Sequence, residues 1–202
     1  MNKSKIIACL AASVVVVVML AAYAQEHALP CAFNGKDLTG WKVPEDNIWW
    51  RVEDGLLKLR SGPELKGTTL WTEKEYTNFV MEFEFLFDKG TVDSGIYIRT
   101  SKEQIQLGIS GSLKRDMTGS PYISGKGYPV EAEGVKELLK PDDWNEMTIV
   151  VKGKHYSVWL NGVPVMQYAS HTAVEKGPIG IQLHGNKMMW MEYRNIRIAE
   201  LS

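Results

Sequence analysis

Gln182 and His184 stand two residues apart, the spacing at which side chains of an extended strand share one face. They lie in the stretch from Gly177 to Ile198, which breaks at His184-Gly185-Asn186 and resumes at Met188. Two apolar runs around a Gly-containing break predict an antiparallel hairpin, with Arg194 on its returning strand. A glutamine, a histidine and an arginine around one hairpin supply more polar chemistry than a sheet core needs. An imidazole titrates near neutral pH and can take or give a proton. A guanidinium can hold an oxygen on which negative charge develops, and a carboxamide can orient hydroxyl groups.

Other residues extend this set. Arg99 ends an apolar strand pattern, and Gln104 and Gln106 again share a face. Asp93 and Asp116, with His184, are oxygen and nitrogen donors for a divalent metal, although their scattered spacing is not that of a metal motif. Tyr122 and Trp190 are aromatic platforms of the kind that stack on sugars. Each has a structural alternative. His184 can cap its own turn, Arg99 can pair with a surface acid, and Arg194 can cover an outer sheet. The two amides fit a solvated face, and most tryptophans in a chain of this type are core.

The pair Glu82 and Glu84 allows a different chemistry, since retaining glycosidases place two carboxyls about 5 Å apart. The next position on that face is Leu86, so a third acid is missing. A solvated strand face accounts for the pair.

The elements that must position these groups read as strands. Phe79, Met81, Phe83, Phe85 and Phe87 alternate with Glu82 and Glu84, one face core and one wet. Short strands are predicted at Trp49 to Asp54, Leu56 to Arg60, Thr68 to Thr72, Gly95 to Thr100 and Gln104 to Ile109. A meander follows from Trp144 to Tyr168, turning at Lys152-Gly153 and Asn161-Gly162. Val135 to Leu139, closed by Pro141, is the one helical signal. The Gly- and Ser-rich stretch from Ser110 to Lys140 reads as a long loop over a cleft, carrying Asp116, Tyr122 and Lys126. Many short strands with tight turns predict an all-β sandwich or jelly roll, whose concave sheet would hold a ligand.

Residues 1–24 read as a signal peptide: Lys3 and Lys5 precede an apolar run that ends in Ala22-Tyr23-Ala24. The run is short for a membrane span, and Leu29-Pro30 is a poor lead-in for lipidation at Cys31. The expectation is an exported protein, periplasmic or secreted, with no stable membrane insertion after processing. Residues 25–202 then form a single domain, long enough for a well-buried core. The leader contains two of the 23 basic residues and none of the 24 acidic ones, so the mature chain is weakly acidic. No basic stripe points to nucleic acid. Of the two cysteines only Cys31 lies beyond the leader, so packing rather than an internal disulfide must hold the domain.

Several stretches, in order, resemble the 3-keto-disaccharide hydrolase domain family. They are Phe33-Asn34-Gly35-Lys36-Asp37-Leu38-Thr39-Gly40-Trp41, Trp50 to Gly55, Asp93-Ser94-Gly95-Ile96-Tyr97-Ile98-Arg99 and Trp144-Asn145-Glu146. Val158 to Gly162, Gly177 to Gly185 and Arg194-Asn195-Ile196 complete the set. The resemblance implies a concanavalin A-like jelly-roll sandwich, export, and cleavage of glycosides oxidised at the sugar 3-position. A small-molecule carbohydrate is the implied partner. With the side-chain chemistry above, the expected catalytic residues are His184, Arg99 and Gln106, and the expected substrate contacts Gln104, Gln182, Arg194, Asp93, Tyr122 and Trp190. The family pattern usually has Asn at the position of Asp93 and Glu at that of Gln104. The second departure keeps open a non-catalytic carbohydrate-binding module of the same fold.

Overall fold

Alternation of apolar and polar residues decides which side of each strand is buried. In the computed structural model, which describes residues 29–202, Phe79, Met81, Phe83 and Phe85 are buried while Val80, Glu82, Glu84 and Leu86 lie at the opposite surface. The leader expected over residues 1–24 lies outside the described residues. Strands β1 (Trp41–Lys42), β2 (Trp50–Glu53), β3 (Leu56–Arg60), β4 (Thr68–Tyr76) and β5 (Phe79–Gly90) come first. They are followed by β6 (Asp93–Ile98), β7 (Glu103–Gly108), β8 (Pro121–Ile123) and the short helix α1 (Val135–Leu138). The chain ends with β9 (Asn145–Lys152), β10 (His155–Leu160), β11 (Val163–Ala169), β12 (Gly177–Leu183) and β13 (Met189–Glu200).

All strand pairs are antiparallel and fall into two sheets. One has six strands in the order β1-β4-β12-β6-β7-β8, the other seven in the order β11-β10-β9-β5-β13-β3-β2. Cys31–Ser202 forms one compact unit. The inner faces supply a shared core: Leu70, Ile96, Ile98, Ile105, Leu107, Ile179, Ile181 and Leu183 from the first sheet meet residues such as Phe83, Met147, Val158 and Met191 from the second. This is the jelly-roll β-sandwich that the strand pattern predicts.

Two expectations change. The stretch from Gly177 to Ile198 is not a hairpin. β12 is bonded to β4 and β6 in the six-stranded sheet, whereas β13 lies between β5 and β3 in the other. Both edges of each strand are taken by other partners, so the break at 184–188 is a crossing between sheets. The stretch 110–140 is also not an open loop. Tyr122 belongs to β8, which pairs with β7 and extends the six-stranded sheet.

A cavity on the outer face of the six-stranded sheet

The residues that face away from the core on β6, β7, β8 and β12 follow from strand parity. Ile96 and Ile98 point inward, so Asp93 and Tyr97, separated by Gly95, stand on the other face. Gln104 and Gln106 alternate in the same way with Ile105 and Leu107, and Gln182 with Ile181 and Leu183. Strand register joins these positions into rows across the sheet: Gln182 lies opposite Gly95, which lies opposite Gln106. Tyr97 lies opposite Gln104, which lies opposite Tyr122.

They line a cavity of about 590 Å³. Its remaining wall comes from Ser110, Gly111, Ser112, Lys114 and Tyr128 on one side, and from His184 and Lys187 on the sheet crossing. His184 follows Leu183, whose partner is Ser94, so the histidine sits at the strand end beside Asp93. Its ring is exposed at the rim, with Nδ1 2.7 Å from the carbonyl oxygen of Gly185. In the neutral ring Nδ1 then carries the proton and donates it, leaving the Nε2 lone pair available.

A directed chain of amides crosses the floor. Gln104 Nε2 donates to Gln106 Oε1 at 3.0 Å, and Gln106 Nε2 donates to Asp93 Oδ1 at 2.9 Å. All three side chains are buried. Gln182 Nε2 donates to the Tyr97 hydroxyl oxygen at 2.7 Å, which leaves the phenol proton free to be donated onward. Burial raises the Tyr97 pKa above its ordinary value, so that proton is retained. Burial likewise pushes the Tyr128 hydroxyl up to about 12.

Three buried oxygens of this floor have no hydrogen-bond partner: Asp93 Oδ2, Gln104 Oε1 and Gln182 Oε1. The nearest cation to the first is Lys187 Nζ at 3.9 Å. Buried acceptors left unpaired cost on the order of 1–3 kcal/mol each. All three belong to side chains that line the cavity, and the Asp93 oxygen is balanced by the Lys187 ammonium group.

Of the expected site residues, His184, Gln106, Gln104, Gln182, Asp93 and Tyr122 come together here. Arg99, Arg194 and Trp190 do not. Arg99 has φ 60°, and this left-handed turn ends the alternation of β6. Its buried guanidinium donates to the carbonyl oxygens of Thr77 (2.9 Å), Glu175 (3.1 Å) and Gly153 (2.7 Å). Arg194 lies on the outer face of the other sheet, where Nε and Nη2 donate to Glu84 Oε2 at 2.8 and 2.6 Å. Asn195 Nδ2 donates to the second Glu84 oxygen, so Glu84 is committed to an ion pair and the Glu82–Glu84 pair is a surface feature. Trp190, on that same sheet, is covered by Arg60 and Lys89, 4.9 and 4.8 Å from its ring centroid.

The metal set does not converge either. Asp116 Oδ1 accepts the amide N–H of Thr118 at 2.8 Å and lines a different cavity, beside α1. Among the described residues no group of three or more His, Cys, Asp or Glu side chains is placed to hold a metal ion. Lys126 approaches the Tyr168 ring rather than the cavity. Strand parity alone identifies Tyr97, as it identifies Gln182. Lys114 and Lys187 had no sequence signal, because non-periodic connections place them.

Solved structures with the same architecture include two candidate glycosyl hydrolases from Parabacteroides distasonis. One has TM-score 0.67 and 21% identity, covering 89% of this chain and 97% of that one. The other has TM-score 0.63 and 24% identity, covering 84% and 98%. A carbohydrate-binding module from Bacillus subtilis aligns with TM-score 0.54 and 12% identity over 80% of this chain and 96% of its own. A search of curated protein sequences returned no match. The sequence profile of the 3-keto-alpha-glucoside-1,2-lyase-like domain matches residues 31–199, and by this match the chain belongs to that family of hydrolase-like, carbohydrate-related β-sandwiches.

Proposed function

We propose that this is an exported enzyme that cleaves 3-keto-glycosides by elimination followed by hydration. The observation that carries the reading is the cavity floor, where two amide oxygens without a partner and the Asp93 carboxylate lie beside an imidazole and an ammonium group. Sugar hydroxyls are donors that Gln104 Oε1, Gln182 Oε1 and Asp93 Oδ2 can accept. A ketone at sugar carbon 3 acidifies the hydrogen on carbon 2. His184 Nε2 takes that proton, and the electron pair moves to the carbonyl oxygen as an enolate. Lys187 Nζ and the Tyr97 hydroxyl donate to this oxygen. The enolate then collapses, the bond from carbon 1 to the glycosidic oxygen breaks, and that oxygen takes the proton from the imidazolium. Water adds across the resulting double bond, its hydroxyl to carbon 1 and its proton to carbon 2. The net reaction is hydrolysis, and the arginines expected from sequence have no part in it.

Incubating the purified protein with 3-keto-trehalose or an alkyl 3-keto-glucoside and following release of the second product tests the reading. The His184→Ala variant is expected to lose roughly 100-fold or more in rate. An unchanged rate would overturn the assignment of the base. A second reading, a carbohydrate-binding module, is favoured by Gln104, an amide where the resemblance leads one to expect a carboxylate. Such a protein would retain the keto-sugar and release nothing.

A further inference from the structure

The outer face of the six-stranded sheet continues beyond the cavity. Register places Lys42, Trp71, Gly180, Tyr97, Gln104 and Tyr122 side by side, one from each of its six strands. The last three line the cavity, and Trp71 lies outside it. Neighbouring strands are about 4.8 Å apart, so the line from Gln104 to Trp71 spans about 14 Å, more than one sugar ring. Trp71 is stacked on Tyr97, with ring centroids 5.4 Å apart and planes 17° from parallel. Gly180 makes room for this: a Cβ there would stand 2.6 Å from the indole ring.

Trp71 is not a core residue. Its neighbours Leu70 and Thr72 are buried, while the indole is half-buried on the outer face and its N–H has no partner among the described residues. On the opposite sheet the outer positions of β5 and β13 include Glu82, Glu84, Glu192 and Arg194, with Trp190 held between two cations. Among the described residues no such cation covers Trp71. One face of the indole is covered by Tyr97, and its other face and its free N–H suit the C–H face and hydroxyls of a sugar.

We propose that Trp71, supported by Tyr97, is the residue that carries the second ring of a glycoside bound across the strands, a subsite continuous with the cavity. This rests on the reading of the cavity as a sugar site, but not on cleavage. The test is calorimetric binding of methyl α-glucoside and of a panel of glucose disaccharides, trehalose and maltose included, each in its plain form and, on a His184→Ala background, in its 3-keto form. Wild type, Trp71→Leu and Trp71→Ala are compared, with thermal melting as a fold control. The leucine variant keeps apolar bulk at the position and removes the ring. Wild type should bind at least one disaccharide more tightly than the methyl glycoside. Trp71→Leu should lose about tenfold on that disaccharide and little on the methyl glycoside. Three results overturn the subsite: no preference for any disaccharide, undiminished disaccharide binding by Trp71→Leu, or equal loss on both ligands. Methyl glycoside binding retained in any of these cases leaves the cavity reading standing, and failure to bind both the methyl glycoside and its 3-keto form is the mark of that reading's own failure.

Discussion

Asp93 and Arg99 lie six residues apart at either end of one strand motif, yet they serve different parts of the molecule. Asp93 keeps strand parity and reaches the cavity. Arg99 leaves it through a positive φ and joins the two sheets at one end of the sandwich, through Thr77, Gly153 and the Tyr156 hydroxyl. Nearby, Glu103 accepts hydrogen bonds from Tyr156 (2.6 Å), Ser170 (2.9 Å) and Thr172 (2.6 Å). Arg99→Ala is therefore expected to cost about 2–4 kcal/mol in urea unfolding by removing donors from several carbonyls. The KM for a keto-glycoside should be unchanged in the folded fraction. Altered KM with native stability would instead return Arg99 to the site. The sequence distinguishes these residues only as far as alternation holds. A single left-handed residue reverses the expectation, and nothing in the type of Arg99 announces one.

At the level of elements, the cavity depends on how β12 leaves its sheet. The crossing after Leu183 packs against the segment before β4. The Asn186 amide donates to the Leu65 carbonyl oxygen at 2.7 Å, and a Cβ on Gly67 would stand 2.8 Å from the Gly185 backbone nitrogen. Backbone cannot yield as a side-chain tip can. Gly67→Ala should thus shift the segment that carries His184 and Lys187. We expect a stability loss of about 1–3 kcal/mol together with weaker sugar binding, measured by denaturation and calorimetry on the same variant. Loss of stability with unchanged binding would show that the crossing is not held by this contact. Strand positions were legible from the sequence because the core imposes a period of two, as along β5. Strand partners were not. The break at 184–186 has a hairpin's composition, and only the competition of β4, β6, β5 and β3 for the same edges decides otherwise.

For the whole molecule, tyrosines tie stability to alkaline pH. Burial raises the pKa of Tyr76, Tyr97, Tyr128, Tyr156 and Tyr193, that of Tyr128 to about 12. The unfolded chain releases such protons near pH 10, while the fold retains them. Their contribution is complete below pH 10 and drains away as pH rises from 10 through 12. Urea midpoints should fall across that window in step with tyrosinate absorbance, whereas a midpoint constant to pH 12 would contradict it. The class of the fold was legible because the pattern of strands and turns allows few solutions. The cavity was legible on the strands, where spacing determines the face, and illegible on the connections.

That division has a consequence at residues 184–188. The imidazole and the ammonium group of the cavity sit on the covalent bridge between the two sheets, outside either ladder. Under the proposed mechanism, reactivity would be rewritten by exchanging a few bridge residues, with the strand-borne floor of the cavity left intact. On that proposal, the step from a sugar-cleaving to a sugar-holding protein on this scaffold would take only a handful of codons.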